Sequence, residues 1–159
     1  MPKTISEIIQ KKKKKKKITV VTSYDYTMAT LCDQVDILLV GDSAGMVMLG
    51  YENTVPVTMD QMCMFTEGVS NGRKNALIVA DLPSKSYDNE SDAVANSQRL
   101  INAGADAVKL EGRLPDIIKA IIKAGIPVMG HLGLLPQTAK KYSAQGKTCL
   151  LYTSPSPRD

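Results

Sequence analysis

A chain of 159 residues that is 43% hydrophobic can bury one core, and no apolar run in it approaches the roughly 18 residues of a membrane span. The formal charge of +4 points toward a nucleic-acid partner only superficially, because seven positive charges are consecutive lysines, Lys11 the first and Lys17 the last, and the remainder is net acidic. Three cysteines without a CxxC pair and a single histidine exclude a disulfide framework, a structural zinc site and a His-rich metal site. The first residues lack the apolar stretch and small-residue cleavage site of a secretory signal, so the expected location is cytoplasmic.

In chain order, the lysine run comes first. No aromatic residue interleaves it for base stacking, so it reads as a solvated tail or coding-tract artefact ahead of a basic nucleic-acid-binding module. A first strand is predicted over 18–24, and a second apolar run over 37–41 closes in Asp42. Thr58-Met59-Asp60-Gln61 fits a helical capping box; Met62, Phe65 and Val69 share a face, and Gly72 is placed to close that helix. A third strand ends at Asp81. A helix over about 91–103 stops at Gly104, and a fourth strand ends at Glu111. Pro115 opens the next helix, Ile118, Ile121 and Ile122 form its apolar stripe, and Gly125 precedes a fifth strand over 126–131.

This βαβαβαβαβ pattern, with Ala103-Gly104 and Ala124-Gly125 each leading from a helix cap into a strand, predicts repeated units of a (β/α)₈ barrel. Because such a barrel takes about 250 residues, five strands are its first five units. A doubly wound five-stranded sheet is the competing architecture, weakened by the lack of GxGxxG and GxxxxGK[ST] motifs. In either fold ligands gather at the strands' carboxyl ends, which puts Asp42, Asp81 and Glu111 on one face as candidate metal ligands. Lys109 and Glu111, two apart on one strand, point to the same side.

The segments Thr22-Ser23-Tyr24-Asp25-Tyr26, Gly41-Asp42-Ser43-Ala44-Gly45-Met46, Gly50-Tyr51-Glu52-Asn53-Thr54, Ala80-Asp81-Leu82-Pro83, Val108-Lys109-Leu110-Glu111-Gly112 and Gly130-His131-Leu132-Gly133-Leu134 together resemble the ketopantoate hydroxymethyltransferases. The resemblance implies a TIM barrel that transfers a one-carbon unit from 5,10-methylenetetrahydrofolate to 3-methyl-2-oxobutanoate, forming ketopantoate on the pantothenate pathway. It also implies dependence on Mg²⁺, an enolate mechanism and homo-oligomers, often decamers. Carried over by position, it makes Asp42, Asp81 and Glu111 the Mg²⁺ ligands and places Asp42, Ser43, Asp81 and Lys109 around the 2-oxo acid. His131 is expected to line the site, and Asp25 to hold the first βα loop as a structural residue. A magnesium barrel of the phosphoenolpyruvate mutase and isocitrate lyase kind is the nearest enzyme alternative, opposed by the Lys109 and His131 segments.

Some features depart from the family pattern. The joint 31–36 is about two residues short and lacks an Ala-Gly cap, and 138–142 is short before Gln145-Gly146-Lys147. The family's proton-accepting glutamate falls beyond the fifth strand, outside this sequence. Residues 149–159 match the in-frame translation of a sequencing-library adapter, so 1–148 is expected to be a partial barrel domain, inactive alone, and 149–159 an artefactual tail.

Overall fold

The computed structural model describes residues 1–139; the shortened approach to Gln145 from residue 140 on and the adapter-like tail lie outside the described residues. Five strands, β1 (Val20–Thr22), β2 (Ile37–Val40), β3 (Leu77–Asp81), β4 (Ala107–Glu111) and β5 (Val128–His131), alternate with α1 (Ile5–Lys13), α2 (Tyr26–Cys32), α3 (Ala44–Leu49), α4 (Met59–Gly72), α5 (Glu90–Asn102) and α6 (Pro115–Lys123). Every strand pair is parallel and the order is β1-β2-β3-β4-β5. A doubly wound sheet must reverse its strand order to put helices on both faces. No reversal occurs here, so right-handed crossovers stack the helices on one face, as in the wall of a barrel.

The two sheet faces are built differently. Leu38, Val40, Ile78, Ala80, Val108 and Leu110 point into the helical layer, where they meet Met62, Phe65, Val69, Leu100 and Ile121. On the other face Ile37, Leu77, Val79 and Ala107 form a smaller apolar cluster that Ile5 and Ile8 of α1 cover. Register carries this inner face upward into polar residues: Asp81 lies beside Lys109, and Glu111 beside His131. Apolar layers thus support a polar one at the strands' carboxyl ends.

The predicted strand ends differ in detail. β1 is shorter than 18–24 because Thr19 gives its N–H to the Asp36 carboxylate, at 2.9 Å, and β2 stops at Val40, leaving Asp42 in the turn into α3. The α4 capping box forms between Thr58 and Gln61. Gly72, however, closes nothing: Arg73 is the cap, and a Cβ on Gly72 would come 2.4 Å from the Tyr26 carbonyl oxygen, so this glycine lets α4 cross α2 closely. On α6, Ile117 and Ile118 pack with buried Ile121, while Ile122 is 56% exposed; the stripe runs one residue earlier than predicted.

The short joint after α2 is closed without glycine. Asp33 caps the helix and its carboxylate accepts the N–H groups of Lys74, Asn75 and Ala76 at 2.9–3.1 Å, tying it to the α4–β3 connection. Nor is the lysine run a free tail. Its first three lysines complete α1, which Thr4 and Glu7 start with a reciprocal cap, and Lys11 Nζ reaches the buried Asp36 carboxylate at 2.5 Å.

Candidate active site

Asp42, Ser43, Asp81, Lys109, Glu111 and His131 all line one cavity of about 380 Å³ above the sheet, together with Leu39, Thr54 and Pro136. The strand that carries each acid explains its place. Asp81 and Glu111 are the last residues of β3 and β4, held by the ladder, whereas Asp42 sits two residues past β2 and gives its own N–H to Asp81 Oδ2 at 3.2 Å. All three are at least nine-tenths buried.

Each carboxylate has one oxygen fixed from behind. Asp42 Oδ2 accepts the side-chain amide of Gln137 at 2.8 Å, Asp81 Oδ2 accepts the Asp42 N–H, and Glu111 Oε2 accepts the Gln137 backbone N–H at 3.1 Å. On the other side of Asp81 and Glu111 stand the polar partners of the site. Lys109 Nζ lies 2.7 Å from Asp81 Oδ1, an ion pair whose angle is poor for a hydrogen bond, and His131 Nδ1 lies 3.2 Å from Glu111 Oε1, again without hydrogen-bond alignment. Burial pushes the Asp81 carboxyl up to about 6, against the pull of Lys109 and with a further push from Asp42.

Ser43 occupies the cap position of α3 but makes no capping bond. Its hydroxyl instead bonds the Tyr24 hydroxyl at 2.8 Å, leaving it at the cavity wall. Asp25 caps α2 through Met28 N–H, a structural part as expected. Gln137 was absent from the sequence-based site: it lies in the loop after β5, and the only cue to it is a polar residue following Pro136 just beyond a strand's carboxyl end.

Three carboxyl groups face one ammonium here, an excess of two negative charges when all are ionised. The groups that line the cavity offer hard carboxylate oxygens, which suit a Mg²⁺ ion. No three acidic, histidine or cysteine side chains among the described residues form a ready-made cage. Mg²⁺ does not require one, since it keeps several waters and takes further oxygens from substrate.

A parallel βα sheet of barrel order with an acidic pocket at its carboxyl ends defines a barrel-type enzyme fold. Solved structures share it: phosphoenolpyruvate phosphomutase from Streptomyces platensis subsp. rosaceus (TM-score 0.65, 15% identity, 80% of this chain and 53% of that one) and 2,3-dimethylmalate lyase, a phosphoenolpyruvate mutase/isocitrate lyase superfamily member (0.59, 17%, 79% and 51%). At these identities the likeness concerns the fold alone. The family model described as ketopantoate hydroxymethyltransferase matches residues 2–150, and the chain belongs to that family of transferases. Relatives named 3-methyl-2-oxobutanoate hydroxymethyltransferase include those of Nitrosopumilus maritimus (62% identical, 93% of this chain and 56% of the relative) and Cenarchaeum symbiosum (60%, 83% and 53%). The chain spans about half the length of the curated relatives it matches. No helix among the described residues is long and apolar enough to cross a membrane.

Proposed function

We propose that this chain is the N-terminal part of a Mg²⁺-dependent enzyme that moves a hydroxymethyl group from 5,10-methylenetetrahydrofolate to 3-methyl-2-oxobutanoate. The observation that carries the reading is the single cavity in which Asp42, Asp81 and Glu111 meet Ser43 and Lys109, in a chain of this family.

Asp42, Asp81 and Glu111 would hold the metal, directly or through water, with the oxygens that Gln137 and the Asp42 N–H leave available. Bound there, Mg²⁺ supplies Lewis-acid polarisation of a keto oxygen, which acidifies the neighbouring carbon. The ammonium of Lys109 supplies positive charge for the substrate carboxylate, and Asp81 beside it keeps that ammonium in place. Ser43, oriented by Tyr24, offers a hydroxyl from the α3 end of the cavity. Apolar Leu39 and Met46 line the same space and suit a branched alkyl group. The proton acceptor for the carbon acid belongs to the length that the relatives have beyond this chain, and the folate donor enters from the loops above the sheet.

The test uses a protein that continues this sequence over the relatives' full length. Ketopantoate formation is expected to require Mg²⁺, to disappear with a chelator and to return on Mg²⁺ addition. Asp81→Asn should lower it by at least about 100-fold. Full activity in that variant, or in metal-free buffer, would refute the assignment.

A further inference from the structure

Among the described residues, Thr54 carries the one buried hydroxyl of the cavity wall that has no hydrogen-bond partner; the unbonded Asp81 Oδ1 and His131 Nδ1 beside it at least face Lys109 and Glu111. Thr54 is 3% exposed and lines the cavity with Asp42, Ser43, Asp81 and Lys109. Two threonines at α4 show the usual behaviour. The Thr66 hydroxyl, fully buried in α4, donates to the Met62 carbonyl at 2.7 Å, and Thr58 accepts from Gln61 N–H as a helix cap. Ser97, the other such hydroxyl among the described residues, is on α5 and does not line this cavity. A hydroxyl taken out of water without a partner costs free energy, and a ligand in the cavity that supplies an acceptor recovers that cost.

The position of Thr54 is well determined. It lies in the connection from α3 to α4, where its carbonyl accepts Val57 N–H at 3.2 Å and Asn53 Oδ1 accepts Val55 N–H at 3.0 Å. That connection rests directly on α3 at Gly45, where a Cβ would stand 2.4 Å from Val57 Cγ2 and 2.9 Å from the Tyr51 ring. The Tyr51 hydroxyl in turn accepts from the Gln61 side chain at 2.8 Å, pinning the connection to α4. Thr54 is therefore presented to the cavity by a braced segment.

The cavity is rich in acceptors. Lys109 and Ser43 each already have a contact inside the protein, with Asp81 and Tyr24, whereas the Thr54 hydroxyl has none among the described residues. A 2-oxo acid brings carboxylate and keto oxygens, which are acceptors only. We propose that Thr54 is a substrate-binding residue whose hydroxyl donates a hydrogen bond to an oxygen of the bound 2-oxo acid, an inference that rests on the function proposed above.

The experiment compares wild type, Thr54→Val and Thr54→Ser in the full-length protein with Mg²⁺, by calorimetric titration with 3-methyl-2-oxobutanoate, by KM for each substrate and by thermal unfolding of the ligand-free protein. Valine keeps the shape and removes the hydroxyl. Its Kd for the oxo acid should rise about 10- to 100-fold, the loss of one hydrogen bond to a charged acceptor. Its KM for the folate donor should stay within about twofold, and its ligand-free Tm should be equal to or above wild type, because no buried hydroxyl is left unpaired. Serine should restore affinity for the oxo acid. Unchanged oxo-acid affinity in Thr54→Val overturns the proposal, as does a valine variant that unfolds early or fails to fold, since either means the hydroxyl has an internal partner. If wild type itself fails to bind the oxo acid, the functional reading has fallen and this inference with it.

Discussion

Gln137 spends every polar atom of its side chain on the site. Its amide N–H groups go to Asp42 Oδ2 and to the Leu82 carbonyl at 2.9 Å, and its Oε1 accepts from Tyr87. Because Oε1 can only accept, Tyr87 must donate, and burial helps keep that phenol protonated by pushing it up to about 12. One residue from the fifth loop thus fixes carboxylates from β2 and β4, which have β3 between them. Gln137→Ala in the full-length enzyme is expected to lower kcat/KM about 10- to 100-fold by freeing Asp42, which loses the side-chain amide while Glu111 keeps the backbone N–H; this is the usual cost of losing a group that orients ligands. Steady-state kinetics checks this; an unchanged kcat/KM would mean Asp42 holds its place without the amide. The acids themselves were legible in the sequence because Asp81 and Glu111 interrupt apolar runs at strand ends. Gln137 was not, since it stands 95 residues from Asp42 in a loop without periodicity. Ser43 was legible only in part, its cap position being evident and its bond to Tyr24 not.

At the scale of elements, the sequence yielded the strands and the main helices because period and caps agree locally, as at Thr58 and Gln61 or at Pro115. What it hid were contacts between elements. Gly72 has the same sequence signature whether it ends a helix or lets two helices cross, and only the approach of Tyr26 decides. Likewise α1 is masked by its lysines, although Ile5 and Ile8 cover the inner face and Lys11 binds Asp36. Burial pushes the Asp36 carboxyl upward, but Lys11 and Thr19 outweigh this and hold it at about 2, below its ordinary 3.8. A depressed carboxylate contributes stability that is complete above about pH 4 and is lost as pH falls through 2. Asp36→Asn should therefore destabilise by about 1–2 kcal/mol at neutral pH, discounted because Lys11 is 37% exposed, and the deficit should vanish near pH 2. Urea unfolding of both proteins across that range reads it directly. A deficit that persists at pH 2 would assign the effect to packing.

Taken whole, the described sheet has two unpaired edges, β1 and β5, and an inner face that α1 covers only at its lower end. Val20 on β1 is 48% exposed, as expected of a wall with no opposite side. An open parallel edge invites association. The 159-residue chain alone is expected to elute as oligomers or aggregates in size-exclusion chromatography and to show no ketopantoate formation. A monodisperse monomer turning over at about 1 per second or more, an ordinary enzyme rate, would overturn this.

The strand order also bears on how such a molecule is made. From β2 onward each strand pairs with the one before it, so each finds its first partner already synthesised. As the chain leaves the ribosome, β2 can dock on β1, then β3 on β2, each step closing a loop of modest length and burying a helix as it goes. Only closure of the ring back onto β1 would join residues far apart in sequence, and that entropic cost falls once, at the end of synthesis.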